Sequence, residues 1–158
     1  MNNERPVHLI ASGDSRLAAN QRCWPAQAAL ETIGDQCLVV ATVPGNMGTA
    51  LHLLDEYERM GIEVVLAMPP LVRGKVPSDA SGLVDYFQTL CSHTYLPMMP
   101  YNTQEWTVEL FCELAAIEGI IGIKESNERL HRLSIQPKGY AVNGSHPDVR
   151  IVVLQKAP

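Results

Sequence analysis

Short apolar runs at residues 7–11, 37–43, 63–68, 96–102 and 119–124 alternate with longer segments of helical periodicity, and each run stops at a proline or a polar residue. Runs this short, bounded by turn residues, read as buried strands and are too brief for helices. Strand and helix in strict succession need a crossover between each pair of strands, which gives a parallel sheet with right-handed connections. Two architectures meet that requirement: an open doubly wound sheet, and part of an eightfold βα barrel. The unusual residues bear on the choice. Ser12, Gly45-Asn46, Pro69-Pro70, Tyr101-Asn102 and Lys124 all fall at the carboxyl ends of successive runs. A barrel gathers those ends into one ring, whereas an open sheet leaves several far from any single crevice. The expected fold class is α/β, a partial TIM (β/α)8 barrel.

The intervening segments supply the helices. Residues 17–33 read as helix with an early interruption at Pro25, and Gly34-Asp35 ends it. Thr49 is placed to cap a helix through Met60, with Leu51, Leu54 and Tyr57 facing the core and Gly61 as C-terminal cap. Further helices are expected over 79–93, 107–117 and 128–135. Pro97 and Pro100 should distort the run that contains them. Residues 138–143 form a weaker strand candidate, and 149–154 are strand-like by composition.

Lys124 is the residue most at odds with its setting. It closes the apolar segment Gly119-Ile-Ile-Gly-Ile-Lys-Glu-Ser126, and the other three lysines (75, 138 and 156) lie among turn or terminal residues. Alternation along a strand assigns Ile120, Gly122 and Lys124 to one face, with Ile121 and Ile123 on the other. An amine at a buried strand end, beside glycine rather than bulk, has space for a ligand. Burial disfavours an ammonium and favours the nucleophilic amine. The plain alternative is a lysine that snorkels to solvent or pairs with Glu125 or Glu128.

Composition narrows the function classes. The chain has 158 residues, 46% of them hydrophobic and 18% charged, with net charge −5, which suits one soluble globular domain over 1–158. Basic residues are few and scattered, so no nucleic-acid partner is expected. No stretch reaches the length of a membrane span, and the start lacks an apolar leader. Cys23, Cys37, Cys91 and Cys112 are widely spaced without a CxxC pair. They read as free, buried thiols of a cytoplasmic protein. The five histidines show no metal-ligand spacing, and Gly45-Asn46-Met47-Gly48 lacks the lysine and Ser/Thr of a phosphate loop. Neither a metal nor a cofactor is expected.

Two segments carry a likeness to a known family. Leu96-Pro-Met-Met-Pro-Tyr-Asn102 and Gly119-Ile-Ile-Gly-Ile-Lys-Glu-Ser126 resemble the strand ending in Tyr-Asn and the Schiff-base lysine strand of the dihydrodipicolinate synthase and N-acetylneuraminate lyase family. These are pyruvate-handling class I aldolases built on a βα barrel. Gly61-Ile-Glu-Val-Val-Leu-Ala-Met-Pro-Pro70 is similar to the family strand that closes on a proline-containing loop, and Ser12-Gly13-Asp14-Ser15 is a weaker echo of its carboxylate-binding loop. The likeness runs from about residue 7 to about residue 135. It implies that Lys124 forms an imine with the carbonyl of a small 2-oxo acid and that Tyr101 relays protons. It further implies substrate contacts from Ser12, through its hydroxyl, and from Asn102. Without the resemblance, Ser12 and Asp14 read equally well as a helix N-cap, and Tyr101 as a core or rim tyrosine.

The departures also inform. Ala11-Ser12 stands where the family loop has two threonines, and Leu71-Val72 replaces the usual tyrosine pair. After Asn102 the segment Thr103-Gln104-Glu105-Trp106 stands in place of the family's Gly-Arg-Thr-Gly loop. These differences point away from dihydrodipicolinate synthesis proper and toward the sugar-acid dehydratase branch. About six consecutive βα units fit the length, with the first and last of the barrel missing. An incomplete barrel should expose strand edges and an apolar interior, which a homo-oligomer would cover. A relative without turnover, serving as a binding or assembly module, is the alternative to an active lyase, and an unrelated small open-sheet domain that binds a ligand at its strand ends is a third reading.

Overall fold

Valine and isoleucine crowd the short runs, and their stiff branched side chains pack best on a pleated sheet. The computed structural model describes residues 7–10, 21, 23–34, 36–70, 80–103, 106–125, 140–146 and 149–154. The runs form β1 (Val7–Ile10), β2 (Leu38–Val43), β3 (Val64–Ala67), β4 (Met98–Asn102) and β5 (Gly122–Glu125). They are followed by β6 (Tyr140–His146) and β7 (Val149–Leu154). Four helices lie between the strands: α1 (Trp24–Ile33), α2 (Met47–Met60), α3 (Ala80–His93) and α4 (Val108–Ala115). The sheet has seven strands in the order β1-β2-β3-β4-β5-β7-β6, and the first five are parallel neighbours in sequence order. That succession is the wall of a partial βα barrel.

The C-terminal end departs from six repeated units. β7 runs antiparallel to β5, and β6 antiparallel to β7. An antiparallel hairpin needs no crossover helix, so composition identified the strands there but not their direction. The expected helix at 128–135 lies outside the described residues.

Strand parity divides the apolar side chains into two layers. Val39, Ala41 and Val43 of β2, Val65 and Ala67 of β3, Met98 of β4 and Ile123 of β5 join one core with Leu53, Leu54, Phe87 and Leu114 of the helices. Val40, Val64, Leu66 and Met99 form a second cluster on the opposite face, with Leu38 and Tyr101 packed against it. Val40 is fully buried, and Leu66 and Met99 are 2% and 6% exposed, so this inner layer is shielded within the single chain. The expectation of an exposed apolar interior is therefore not met at these positions. At about 25 cal/mol per Å2, keeping several such side chains from water outweighs any single polar contact in the wall. The edges remain: among the described residues β1 and β6 each pair on one side only.

Several local expectations shift. Pro25 stands in the first turn of α1, where its missing N–H is not needed, and residues 17–20 of the expected helix lie outside the described residues. Asn46, not Thr49, caps α2; its side chain accepts the Thr49 amide at 3.0 Å. Gly61 closes α2 in the left-handed region at φ 80°, as expected. Of the cysteines only Cys37 is buried; Cys23 and Cys91 are half-buried, and Cys112 is exposed on α4. Burial pushes the Cys91 thiol up to about 11.

Polar groups then fix the carboxyl ends of the strands. Tyr57 of α2 donates its hydroxyl to the Thr42 carbonyl at 3.0 Å, and Tyr86 of α3 donates to the Pro44 carbonyl at 3.1 Å. Burial raises the Tyr86 phenol well above its usual range, so it stays a donor. Lower down, the Glu58 carboxylate accepts from the Thr94 hydroxyl and the Tyr95 amide, which hold it below the usual carboxylate range. The loops after β2 and β3 touch backbone to backbone: a Cβ on Gly45 would sit 2.1 Å from the Pro69 carbonyl oxygen. Gly45→Ala is therefore expected to lower stability by about 2 kcal/mol or more in urea unfolding, against about 1 kcal/mol for Gly61→Ala. Equal losses would show that the two loops separate freely.

Candidate functional site

β4 and β5 are adjacent and parallel, and their register sets Tyr101 opposite Lys124 and Asn102 opposite Glu125. Residues opposite one another in a ladder share a face. The Tyr101 ring packs on the inner cluster, and Ile123 is fully buried in the helix-side core, so parity turns Lys124 inward. The Lys124 ammonium stands 4.0 Å above the centroid of the Tyr101 ring. At 8% exposure Lys124 is buried and does not snorkel to solvent. Gly122, two residues earlier on the same face, adds no side chain beneath it.

The approach to β5 is less regular than simple alternation implies. Ile120 joins the helix-side core with Ile123, and Ile121 is 37% exposed. Gly119 adopts φ 95°, the Ile120 amide donates to the Ile117 carbonyl, and Ile120 meets Met98 through an isolated bridge. The chain is still leaving the α4 turn at that point, so strand parity begins at Gly122. Lys124 is on the face expected; Ile120 is not.

The remaining site residues are placed as follows. Asn102 is 2% exposed at the end of β4 and, next to Tyr101, has the opposite parity. Ser12 lies outside the described residues, as do Leu71-Val72. Sequence reasoning passed over Met68. Its amide donates to the Val43 carbonyl at 3.0 Å, continuing the β2–β3 ladder. Extending the β3–β4 register one step beyond Ala67↔Pro100 sets Met68 opposite Tyr101. Counting alternation on from Val64 and Leu66 would have found it.

The inner face at the carboxyl end thus carries Tyr101 and Lys124, and Met68 follows one residue past the end of β3. The wall beside the amine is apolar and aromatic, and a π-face next to an amine stabilises any cation formed there. Among the side chains the structure describes, which include neither Glu125 nor Glu128, no carboxylate pairs with Lys124, and no group of three His, Cys, Asp or Glu could hold a metal ion. No described helix is long and apolar enough to cross a membrane. A surface groove of about 920 Å3 between α3 and α4 is lined by Val84, Cys91, Tyr95 and Ile117 among others, and includes neither Lys124 nor Tyr101. Its Thr94-Tyr95 and Gly119 precede β4 and β5, so it opens at the far end of the strands.

Comparison with known proteins bears on the family and the fold. The model of the dihydrodipicolinate synthetase family matches residues 11–142. A 4-hydroxy-tetrahydrodipicolinate synthase from Methanosarcina barkeri is 28% identical over 102 residues, covering 61% of this chain and 34% of the relative. A probable 5-dehydro-4-deoxyglucarate dehydratase from an Arthrobacter species is 30% identical over 76 residues, covering 48% of this chain and 24% of the relative. The chain thus matches about a third and about a quarter of the length of these two relatives. Among solved structures, an N-acetylneuraminate lyase from Fusobacterium nucleatum aligns with TM-score 0.69 at 20% identity, over 79% of this chain and 46% of that one. A dihydrodipicolinate synthase from Bacillus anthracis aligns at 0.70 and 18%, over 84% and 48%.

A buried lysine whose described contact is one aromatic face stands there at a cost in stability. Lys124→Met, which keeps the volume and removes the charge, is expected to raise unfolding stability by about 1 kcal/mol. A destabilised Lys124→Met protein would mean that the ammonium is held by strong partners.

Proposed function

The chain belongs to the dihydrodipicolinate synthetase family, and from that premise we propose that it acts on pyruvate or a related 2-oxo acid through an imine on Lys124. The observation that carries the proposal is the pairing of Tyr101 and Lys124 on the inner face, with the amine 4.0 Å above the ring. The neutral amine adds to the C2 carbonyl, the carbinolamine takes up a proton from solvent through Tyr101 and loses water, and a protonated imine remains. That cation draws electrons from the neighbouring carbon, so a C–C or C–O bond next to it can form or break. The Tyr101 face beside the nitrogen supports the cation, and its hydroxyl moves protons between substrate and solvent. Ser12 serves the substrate carboxylate in this reading. Asn102, buried on the parity opposite to Tyr101, would reach the substrate only past the end of β4 in this reading.

The proposed setting is cytoplasmic, with a small 2-oxo acid as the ligand. A second copy of the chain pairing along β1 or β6 would cover the open edges. A second reading, a relative that keeps the imine position without turnover, is favoured by Leu71-Val72 in place of the family's tyrosine pair.

Reduction with borohydride in the presence of pyruvate, read by peptide mass spectrometry, is expected to attach the three-carbon acid to Lys124 and to nothing in Lys124→Ala. Tyr101→Phe should still be trapped, but with turnover slowed by about 100-fold where turnover occurs. Absence of an adduct from every 2-oxo acid tried would remove the enzymatic reading.

A further inference from the structure

The imine chemistry leaves one side chain near this pair unexplained. Met68 is half-buried, yet among the described residues it packs against neither the helix-side core nor the inner cluster. Its strand neighbours are all accounted for. Val64 and Leu66, four and two residues back on the same parity, belong to the inner cluster, while Val65 and Ala67 belong to the helix-side core. Met68 therefore stands just past the top of the packed inner layer, one register place from Tyr101, with Lys124 on that ring's other side.

The backbone there is well held. The Met68 amide bonds the Val43 carbonyl, and Pro69 follows against Gly45 at backbone contact distance. An unbranched thioether at a held strand end, outside both core clusters among the described residues, presents a flexible and polarizable apolar surface to whatever lies beside it. It offers no strong hydrogen-bond donor or acceptor to a hydroxyl placed beside it.

Resting on the imine reading above, we infer that Met68 is a specificity-determining residue that contacts the carbon chain of the bound 2-oxo acid and selects unhydroxylated chains. With C2 held at Lys124 and the Tyr101 ring between, carbons beyond C3 reach the thioether. Each methylene that Met68 shields from water strengthens retention roughly fourfold. A hydroxyl at that position loses water contacts without gaining a partner. The substrate class is thus 2-oxo acids with short apolar chains, such as 2-oxobutanoate and 2-oxopentanoate, ahead of polyhydroxylated sugar acids, which runs against the sugar-acid dehydratase branch expected from the sequence.

Competitive borohydride trapping on Lys124 tests this. The probes are pyruvate, 2-oxobutanoate, 2-oxopentanoate and 2-keto-3-deoxygluconate, applied to the full chain, Met68→Leu, Met68→Thr and Met68→Gln. The native chain and Met68→Leu should trap 2-oxopentanoate several-fold more readily than the sugar acid. Both polar variants should erase or invert that order. Two polar variants are used so that misfolding of one, seen in its thermal melt, still leaves a test. Adducts on Lys124 whose order is the same in native, threonine and glutamine proteins would overturn the role of Met68 while leaving the imine intact. A native preference for the sugar acid would overturn it equally. Failure of all four acids to be trapped would remove both readings together.

Discussion

The parallel pairing of β4 with β5 is the constraint on which the site depends. It sets Tyr101 and Lys124 opposite one another on a single face, and that proximity follows from backbone hydrogen bonds rather than from any attraction between the side chains. A slip of one residue would send the amine into the helix-side core and bring Ile123 to the site. The register is protected because such a slip would also expose a fully buried isoleucine. The apolar parity of the strand and the position of the amine are therefore the same fact seen from its two faces.

Support for that pair is layered. The helix-side core fixes the parity of β2 to β5, and the inner cluster ends at the level where Tyr101 begins. Above it, tyrosine hydroxyls from α2 and α3 hold the end of β2, and the Gly45–Pro69 contact ties the next loop to it. Rigid strands with short, bonded ends suit the proposed site, in which a nucleophile and a proton relay would keep a fixed relation. Leaving a buried amine with an aromatic face and no described counter-ion detracts from stability, a pattern expected where function and folding compete.

Much of this was legible in the sequence because strand parity and family motif point the same way. The five parallel runs, the placement of Lys124 on the inner face and its closeness to Tyr101 follow from period-two alternation and from where each run ends. Other features were not. The direction of β6 and β7 depends on pairing across the sheet, and the run Val149–Leu154 is equally apolar in either sense. Ile120 departs from alternation because a left-handed glycine and the α4 turn precede it. Asn46 took the cap from Thr49 through a difference of one turn. Met68 was passed over because a methionine before proline looks like the end of a strand, and only the register reveals its neighbour.

The central claim is that Lys124 works from inside an incomplete barrel, next to Tyr101, on the carbonyl of a 2-oxo acid. A crystal structure of the chain after reduction with pyruvate tests it most directly. Continuous density from the Lys124 amine to C2 of the acid, on the inner face and against the Tyr101 ring, is the predicted result. A lysine side chain turned to solvent, or density for the acid lodged elsewhere with the Lys124 amine unmodified, would contradict it.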